Sequence, residues 1–255
     1  MNLQNIPRDA VIKNLFVAPP GYVLVELDYS QAELRVLAYY SGDPWLKQVY
    51  LEDRDLHDAV ATEIFGLNFT KEQRHIAKCF NFGIAYGRGA ASIAEELNIS
   101  TTMAKAAQAK WFEPMPLVKE YLDAAKKTAI DGEPLETVLG RRRHFILNDK
   151  NFWAVQNEAM NFRIQSTASD ITAMCVCAIQ HKIFDEELVP GYLINNVHDS
   201  IIAVIPEERK YIDAYIDEAT HFMEFMPTIV LPGLDIPFKA DAKIGAKWGC
   251  MQKWK

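Results

Sequence analysis

The stretch "GYLINNVHDSIIAVIP" (191–206) restricts the possible folds more than any other part of this 255-residue chain. Two apolar runs flank His198-Asp199, the pattern of a β-hairpin. A further strand-like run, "GYVLVELD" (21–28), lies far upstream and passes directly into "SQAELRVLAYYSGD", a helical pattern with Gly42 near its end. Helical periodicity dominates the intervening sequence, over 54–65, 71–86, 90–97, 101–112 and the amphipathic 116–130. "ETVLGRRRHFI" reads as strand, turn and strand, residues 151–184 as a long helix, 207–224 as another helix, and "IPFKADAKIG" as a terminal strand. The expected class is α+β: a small, mostly antiparallel sheet with many helices.

Composition narrows the class further. With 49% hydrophobic residues the chain can bury a proper core, and no apolar run approaches the length of a membrane span. The opening "MNLQNIPRDA" is polar and lacks the apolar segment of a secretory signal, so a cytoplasmic location is expected, the host cytoplasm if the source is viral. Cys79, Cys175, Cys177 and Cys250 form neither a CxxC pair nor a zinc-ligand spacing, which points to reduced thiols. The net charge of -7 is unevenly spread. Residues 71–145 carry 12 Lys and Arg against 9 Asp and Glu, a net of +3, whereas 1–70 and 146–255 each net -5. A polyanion is therefore expected to approach the middle segment.

Asp28 follows one β-run and Asp199 lies between two others. If the sheet brings those ends together, two carboxylates share a small space and raise one another's pKa unless a cation neutralises them. Two carboxylates, a backbone carbonyl and a substrate phosphate suit Mg²⁺, and a metal pair can serve phosphoryl transfer. On pattern alone the plainer account is favoured, with Asp28 capping a helix and Asp199 occupying a turn. Ser30-Gln31-Ala32-Glu33 likewise has the form of an S-x-x-E capping box.

In "RHIAKCFNFGIAYG", Arg74, Lys78, Phe82 and Tyr86 stand four residues apart and form one slowly turning stripe on a helix. Two cations followed by two aromatics match a nucleoside triphosphate, charge to phosphate and ring to sugar and base. Solvated cations above a core of Phe82 and Tyr86 explain the spacing as well. Gly83 and Gly87, costly inside a helix, tilt the reading towards function.

Together these segments resemble the family A DNA polymerases, the DNA polymerase I type. "DYSQAELRVLA" resembles motif A, "RHIAKCFNFGIAYG" motif B and "NNVHDSIIAV" motif C, in the family's order; "NLQNIP", "LGRRR" and "NFRIQSTASDIT" also match. The resemblance covers essentially the whole chain. It implies a right-hand polymerase without a thumb, with palm over 1–70 and 146–255 and fingers over 71–145. Its activity would be template-directed transfer of a nucleotide from dNTP to a primer 3′-OH. Asp28 and Asp199 would be the catalytic pair, holding two Mg²⁺ ions (or Mn²⁺) with the Tyr29 carbonyl.

By the same resemblance Arg74, Lys78 and His57 would hold the triphosphate, Phe82 would stack on the nucleotide, and Tyr86 would lie near the templating position. Ser30 and Gln31 belong to the nucleotide site, and Glu33 would exclude a ribose 2′-OH. Gln165 and His198 would contact the primer terminus, Asn2 and Gln4 the duplex, and Arg141 is a further DNA candidate. Phe82, rather than Tyr, goes with discrimination against dideoxynucleotides.

Two departures stand out. Ser200 occupies the motif C position where the family usually has Glu, and Asn157 one where relatives carry Arg. The resemblance starts at Met1, so the expected partners are primer–template DNA, dNTPs and a separate thumb- and exonuclease-bearing polypeptide, as in a split phage polymerase. Two alternatives are an inactive polymerase-like scaffold subunit, opposed by Asp28, Asp199, Arg74 and Lys78, and a single-subunit RNA polymerase relative, opposed by Glu33.

Overall fold

The computed structural model describes Ile6 and residues 10–254. Its element order begins with a short helix α1 (Ala10–Lys13), strand β1 (Tyr22–Tyr29) and helix α2 (Ala32–Ser41). Helices α3 (Pro44–Leu51), α4 (Leu56–Phe65), α5 (Lys71–Ala85), α6 (Ala90–Leu97), α7 (Thr101–Phe112) and α8 (Pro116–Ile130) follow. A small hairpin, β2 (Leu135–Glu136) and β3 (Arg142–Arg143), precedes the long α9 (Phe152–Ile179), which runs into a π-helical turn at Gln180–Asp185. Strands β4 (Tyr192–Val197) and β5 (Ser200–Pro206), helix α10 (Arg209–Val230) and strands β6 (Ala240–Gly245) and β7 (Gln252–Lys253) complete the chain. This is an α+β fold, with one five-stranded sheet in the order β4-β5-β1-β6-β7 and every pairing antiparallel.

The chain forms two compact units. The first contains the chain up to Ala32, Ala168–Gly233 and 238–254, and holds the five-stranded sheet. β1 is its middle strand, and Val23 to Leu27 are all buried because both faces are covered. On one face Leu24 packs with Ile202, Val204 and Trp248. On the other, the Tyr29 hydroxyl donates to the Met223 carbonyl of α10. The apolar stripe of α10 (Ile212, Tyr215, Ile216, Ala219, Met223, Met226 and Val230) is buried in the same unit. The four cysteines are free thiols.

The second unit contains Glu33–Thr167 and Leu234–Pro237. These borders follow packing, whereas borders at 71 and 146 follow the order of the motifs along the chain. Local signals in this unit are strong. Asp43 is fully buried at the N-cap of α3, where it accepts from the Trp45 and Leu46 amides while also holding the Leu117 amide at the start of α8. Thr70 and Gln73 make a reciprocal capping box at α5. The box expected at Ser30 and Glu33 does not have that geometry: Gln31 has φ 60°, helical backbone begins at Ala32, and Glu33 therefore falls at the second helical position. None of the helices among the described residues is long and apolar enough to cross a membrane.

Candidate active site

Asp28 is the penultimate residue of β1, one step earlier than a strand-to-helix junction would put it. Its Cα partner on β5 is Ser200, so the two-residue turn His198-Asp199 lies against the end of β1. The Tyr29 amide donates to the Asp199 carbonyl at 3.3 Å. The Asp28 carboxyl is pushed up to about 6, first by burial and next by the charge of Asp199. The turn is tight, and His198 takes φ 55° at its first position. Asp28 and Asp199 thus share a small space.

Strand alternation sends Leu24, Glu26 and Asp28 to one face of β1. Glu26 accepts from the Trp248 indole at 3.3 Å. Lys243, the cross-strand partner of Glu26 on β6, lies 3.7 Å from its carboxylate and 3.5 Å from that of Asp28. Asp241, directly opposite Asp28, is paired with Lys253 at 2.6 Å. The sequence reading did not single out Glu26, Lys243 or Asp241. Period-two spacing from Asp28 was the available signal for Glu26, but partners on β6 emerge only with the register. Ser200, the motif C departure, is buried and donates its hydroxyl to Val197 O at 3.1 Å, so this side chain closes the turn.

The donor set suits a hard divalent cation. The charges of Asp28 and Asp199 repel, which a bound cation would relieve, and Lys243 offsets part of that charge at 3.5 Å from Asp28. Among the described residues no group of three or more His, Cys, Asp and Glu side chains forms a closed cage. Mg²⁺, which keeps several waters and needs one or two protein carboxylates, fits such an open set. Tyr29 is the expected carbonyl ligand; its ring is buried and its hydroxyl bonded, so its side chain serves packing.

In the helical unit, α5 carries Arg74, Lys78, Phe82 and the following Tyr86 as a stripe apart from its buried face of Ala77, Phe80, Asn81, Ile84 and Ala85. Phe82 is half-buried and Tyr86 exposed, so the alternative with both rings in the core is ruled out. The rings stack on each other with centroids 6.3 Å apart. Lys78 lies 5.9 Å over the Phe82 ring and has no ion pair among the described residues. Arg74 is anchored by Asp55 at 2.8 Å and by Asp58. Asp55 also caps α4, which fixes the pair on a helix start. The His57 ring, on the same helix, sits 5.5 Å from Phe82. Glu33 bonds Tyr86, and burial raises its carboxyl despite that bond.

The glycines have a different meaning from the one expected. A Cβ on Gly83 would meet Ile93 Cδ1 at 2.9 Å, and one on Gly87 would meet the Asn157 carbonyl oxygen at 2.6 Å. Gly87 also has φ 75°. Helix packing therefore explains both, and neither testifies to a ligand.

The remaining expected residues are more dispersed. Gln165 is exposed on α9 and accepts from Asn161 at 3.2 Å. His198 is exposed in the hairpin turn. Arg141 ends the loop between β2 and β3, where its backbone is tied to Thr137. Ser30 and Gln31 form the bend between β1 and α2. Asn2 and Gln4 lie outside the described residues.

Comparison to known proteins identifies the family. The family model described as DNA polymerase family A matches residues 1–250. The chain belongs to DNA polymerase family A. It is similar to the DNA polymerase I of Chloroflexus aurantiacus (32% identical, 97% of this chain and 26% of that protein). Similarity to the DNA polymerase I of Caldicellulosiruptor bescii is of the same order (34% identical, 97% and 29%). A solved POL domain of Pol1 from M. smegmatis, in complex with DNA primer-template and dNTP, superposes with a TM-score of 0.83 at 30% identity. That match covers 98% of this chain and 45% of the other. The family A chain described here therefore spans under a third of the length of these curated relatives.

Proposed function

We propose that this chain is the polymerising part of a DNA-directed DNA polymerase, adding dNTPs to a primer 3′-OH on a template. The observation that carries the reading is the β1–β5 register, which sets Asp28 beside the turn holding Asp199. On this reading residues 1–70 and 146–255 are palm and 71–145 fingers. Asp28, Asp199 and the Tyr29 carbonyl would hold two Mg²⁺ ions, with Mn²⁺ as a substitute. When bound, such ions lower the pKa of the attacking hydroxyl and neutralise charge developing on the phosphates.

The chain's own residues supply the remaining functions. Lys78, exposed and without an ion pair among the described residues, meets triphosphate oxygens. Arg74 joins it by exchanging part of its bonding to Asp55 and Asp58 for phosphate. His57 contributes a hydrogen bond. Phe82 supports the nucleotide ring, with Tyr86 towards the template. Glu33, held by Tyr86, crowds the sugar 2′ position, and Ser30 and Gln31 bring backbone polar groups to the nucleotide. Gln165, His198, Arg141, Asn2 and Gln4 contact DNA. The primer 3′-OH attacks the α-phosphate in line and pyrophosphate leaves.

A net charge of -7 gives a polyanionic duplex little long-range attraction outside the net positive segment 71–145. We infer that additional grip comes from sequence beyond these 255 residues, in the same polypeptide or in a separate thumb- and exonuclease-bearing chain. Primer extension with Mg²⁺ tests the reading. Templated dNTP incorporation far exceeding that of rNTPs is expected. Equal use of both sugars would favour the RNA polymerase relative, and no incorporation with any thumb-bearing partner would favour the scaffold.

A further inference from the structure

Behind the Phe82 face of the helical unit runs a buried polar chain joining three helices. The Trp111 indole of α7 donates to Asn81 Oδ1 of α5 at 2.6 Å. Asn81 Nδ2 lies 2.8 Å from Nδ1 of His57 on α4. Trp111, Asn81 and His57 are 1%, 0% and 6% exposed, so bulk water does not compete at these bonds.

Donor chemistry determines the direction of the chain. An indole N–H can only donate, so the amide must turn its oxygen towards Trp111. Its NH₂ then faces His57, and an amide nitrogen can only donate in turn. Nδ1 must therefore present a lone pair, leaving Nε2 to carry the proton of the neutral ring. Nε2 has no hydrogen-bond partner among the described residues, so it is the ring nitrogen left for a ligand, on a residue that keeps 6% of its surface exposed.

We propose that Asn81, anchored by Trp111, is a positioning residue that locks His57 as the neutral Nε2–H tautomer and so aims a hydrogen-bond donor at a phosphate oxygen of the incoming nucleotide. The nucleotide part rests on the polymerase reading above; the tautomer part does not. A doubly protonated ring would set Nδ1–H against Nδ2–H of Asn81, two donors without an acceptor. Burial also opposes the cation, as do the nearby charges of Lys78 and Arg74, while Asp55 and Asp58 favour it; the net shift of the imidazole is downward. With Arg74 and Lys78 supplying charge, His57 adds direction. The sequence gives little sign of this role, since Asn81 reads as one more residue within motif B.

Ring ¹⁵N chemical shifts of His57 in the full chain, without metal or nucleotide, test the lock directly. The expected result is a single Nε2–H species that remains neutral where an exposed histidine, with a pKa of about 6.5, is already half-protonated. Asn81→Asp turns an acceptor towards Nδ1, so it should protonate Nδ1 and move the titration to higher pH. Trp111→Phe, which releases the amide, should produce mixed tautomers. An Nδ1–H or mixed population in the unmodified chain overturns the inference, and this measurement needs no variant to fold. Calorimetric dNTP binding should weaken roughly tenfold in Trp111→Phe and His57→Ala. Unchanged affinity in a correctly folded His57→Ala also overturns the inference, but leaves the polymerase reading standing. Failure of templated incorporation strikes the polymerase reading, while the tautomer result stays valid.

Discussion

Asp28 sits in a charge balance that metal should alter. Its raised pKa means that the folded chain holds this proton more tightly than the unfolded chain does. The stability this contributes is complete below pH about 4 and is lost as pH rises through about 6. Asp28→Asn removes the titration. Without metal at pH 8 the variant should be more stable by about 1–2 kcal/mol, after solvent screening at a side chain 35% exposed is allowed for. The gap should close at pH 4, and Mg²⁺ should raise the urea midpoint of the unmodified chain alone. Equal Mg²⁺ stabilisation of both would remove Asp28 from the metal site. Phe82 carries a separate prediction: dideoxynucleotides should be poor substrates, and Phe82→Tyr should relax that bias in a competition assay. The Arg74–Tyr86 stripe was legible because its spacing is local, whereas Asp28 and Asp199, far apart in sequence, were paired only through the resemblance to motifs A and C. Lys243, Asp55 and Asp58 were not legible, since their roles depend on cross-strand register or on a neighbouring helix.

Helices α6, α7 and α8 span the residues that periodicity predicts, whereas α3 was not anticipated and α10 continues to Val230, past the expected end at 224. Two finer readings needed tertiary neighbours. The S-x-x-E pattern at Ser30 lacks a helical Gln31, whereas the less conspicuous T-x-x-Q at Thr70 makes a true box. The Gly83–Gly87 pair records how closely α6 and α9 approach α5. Gly87→Ala combines a positive φ with a contact on the Asn157 backbone, so it should cost at least about 2 kcal/mol in denaturant unfolding. Gly83→Ala meets side-chain rather than backbone atoms, Cδ1 and Cγ1 of Ile93, and the helix propensity of Ala, worth about 1 kcal/mol, offsets part of that clash. Its cost should be clearly smaller. Equal costs would show that packing against α9 is not what requires Gly87.

Across the chain, chemistry and charge follow the order of the motifs. The carboxylate pair belongs to the sheet unit, the triphosphate candidates to the helical unit, and the net positive segment 71–145 carries motif B. The class was legible because a few short strands among many helices leave little choice. Strand order was not, since β6 comes from the end of the sequence yet pairs with β1. Family membership supports the proposed chemistry, and the chemical step can be measured separately from duplex affinity. Single-turnover incorporation of one templated dNTP, with Mg²⁺ and saturating primer–template, makes that separation. The unmodified chain should add the templated nucleotide, and Asp28→Asn and Asp199→Asn should each slow the step at least about 100-fold, or about 2.7 kcal/mol in the barrier. Incorporation at undiminished rate in either variant would contradict the assignment of Asp28 and Asp199 as the catalytic pair.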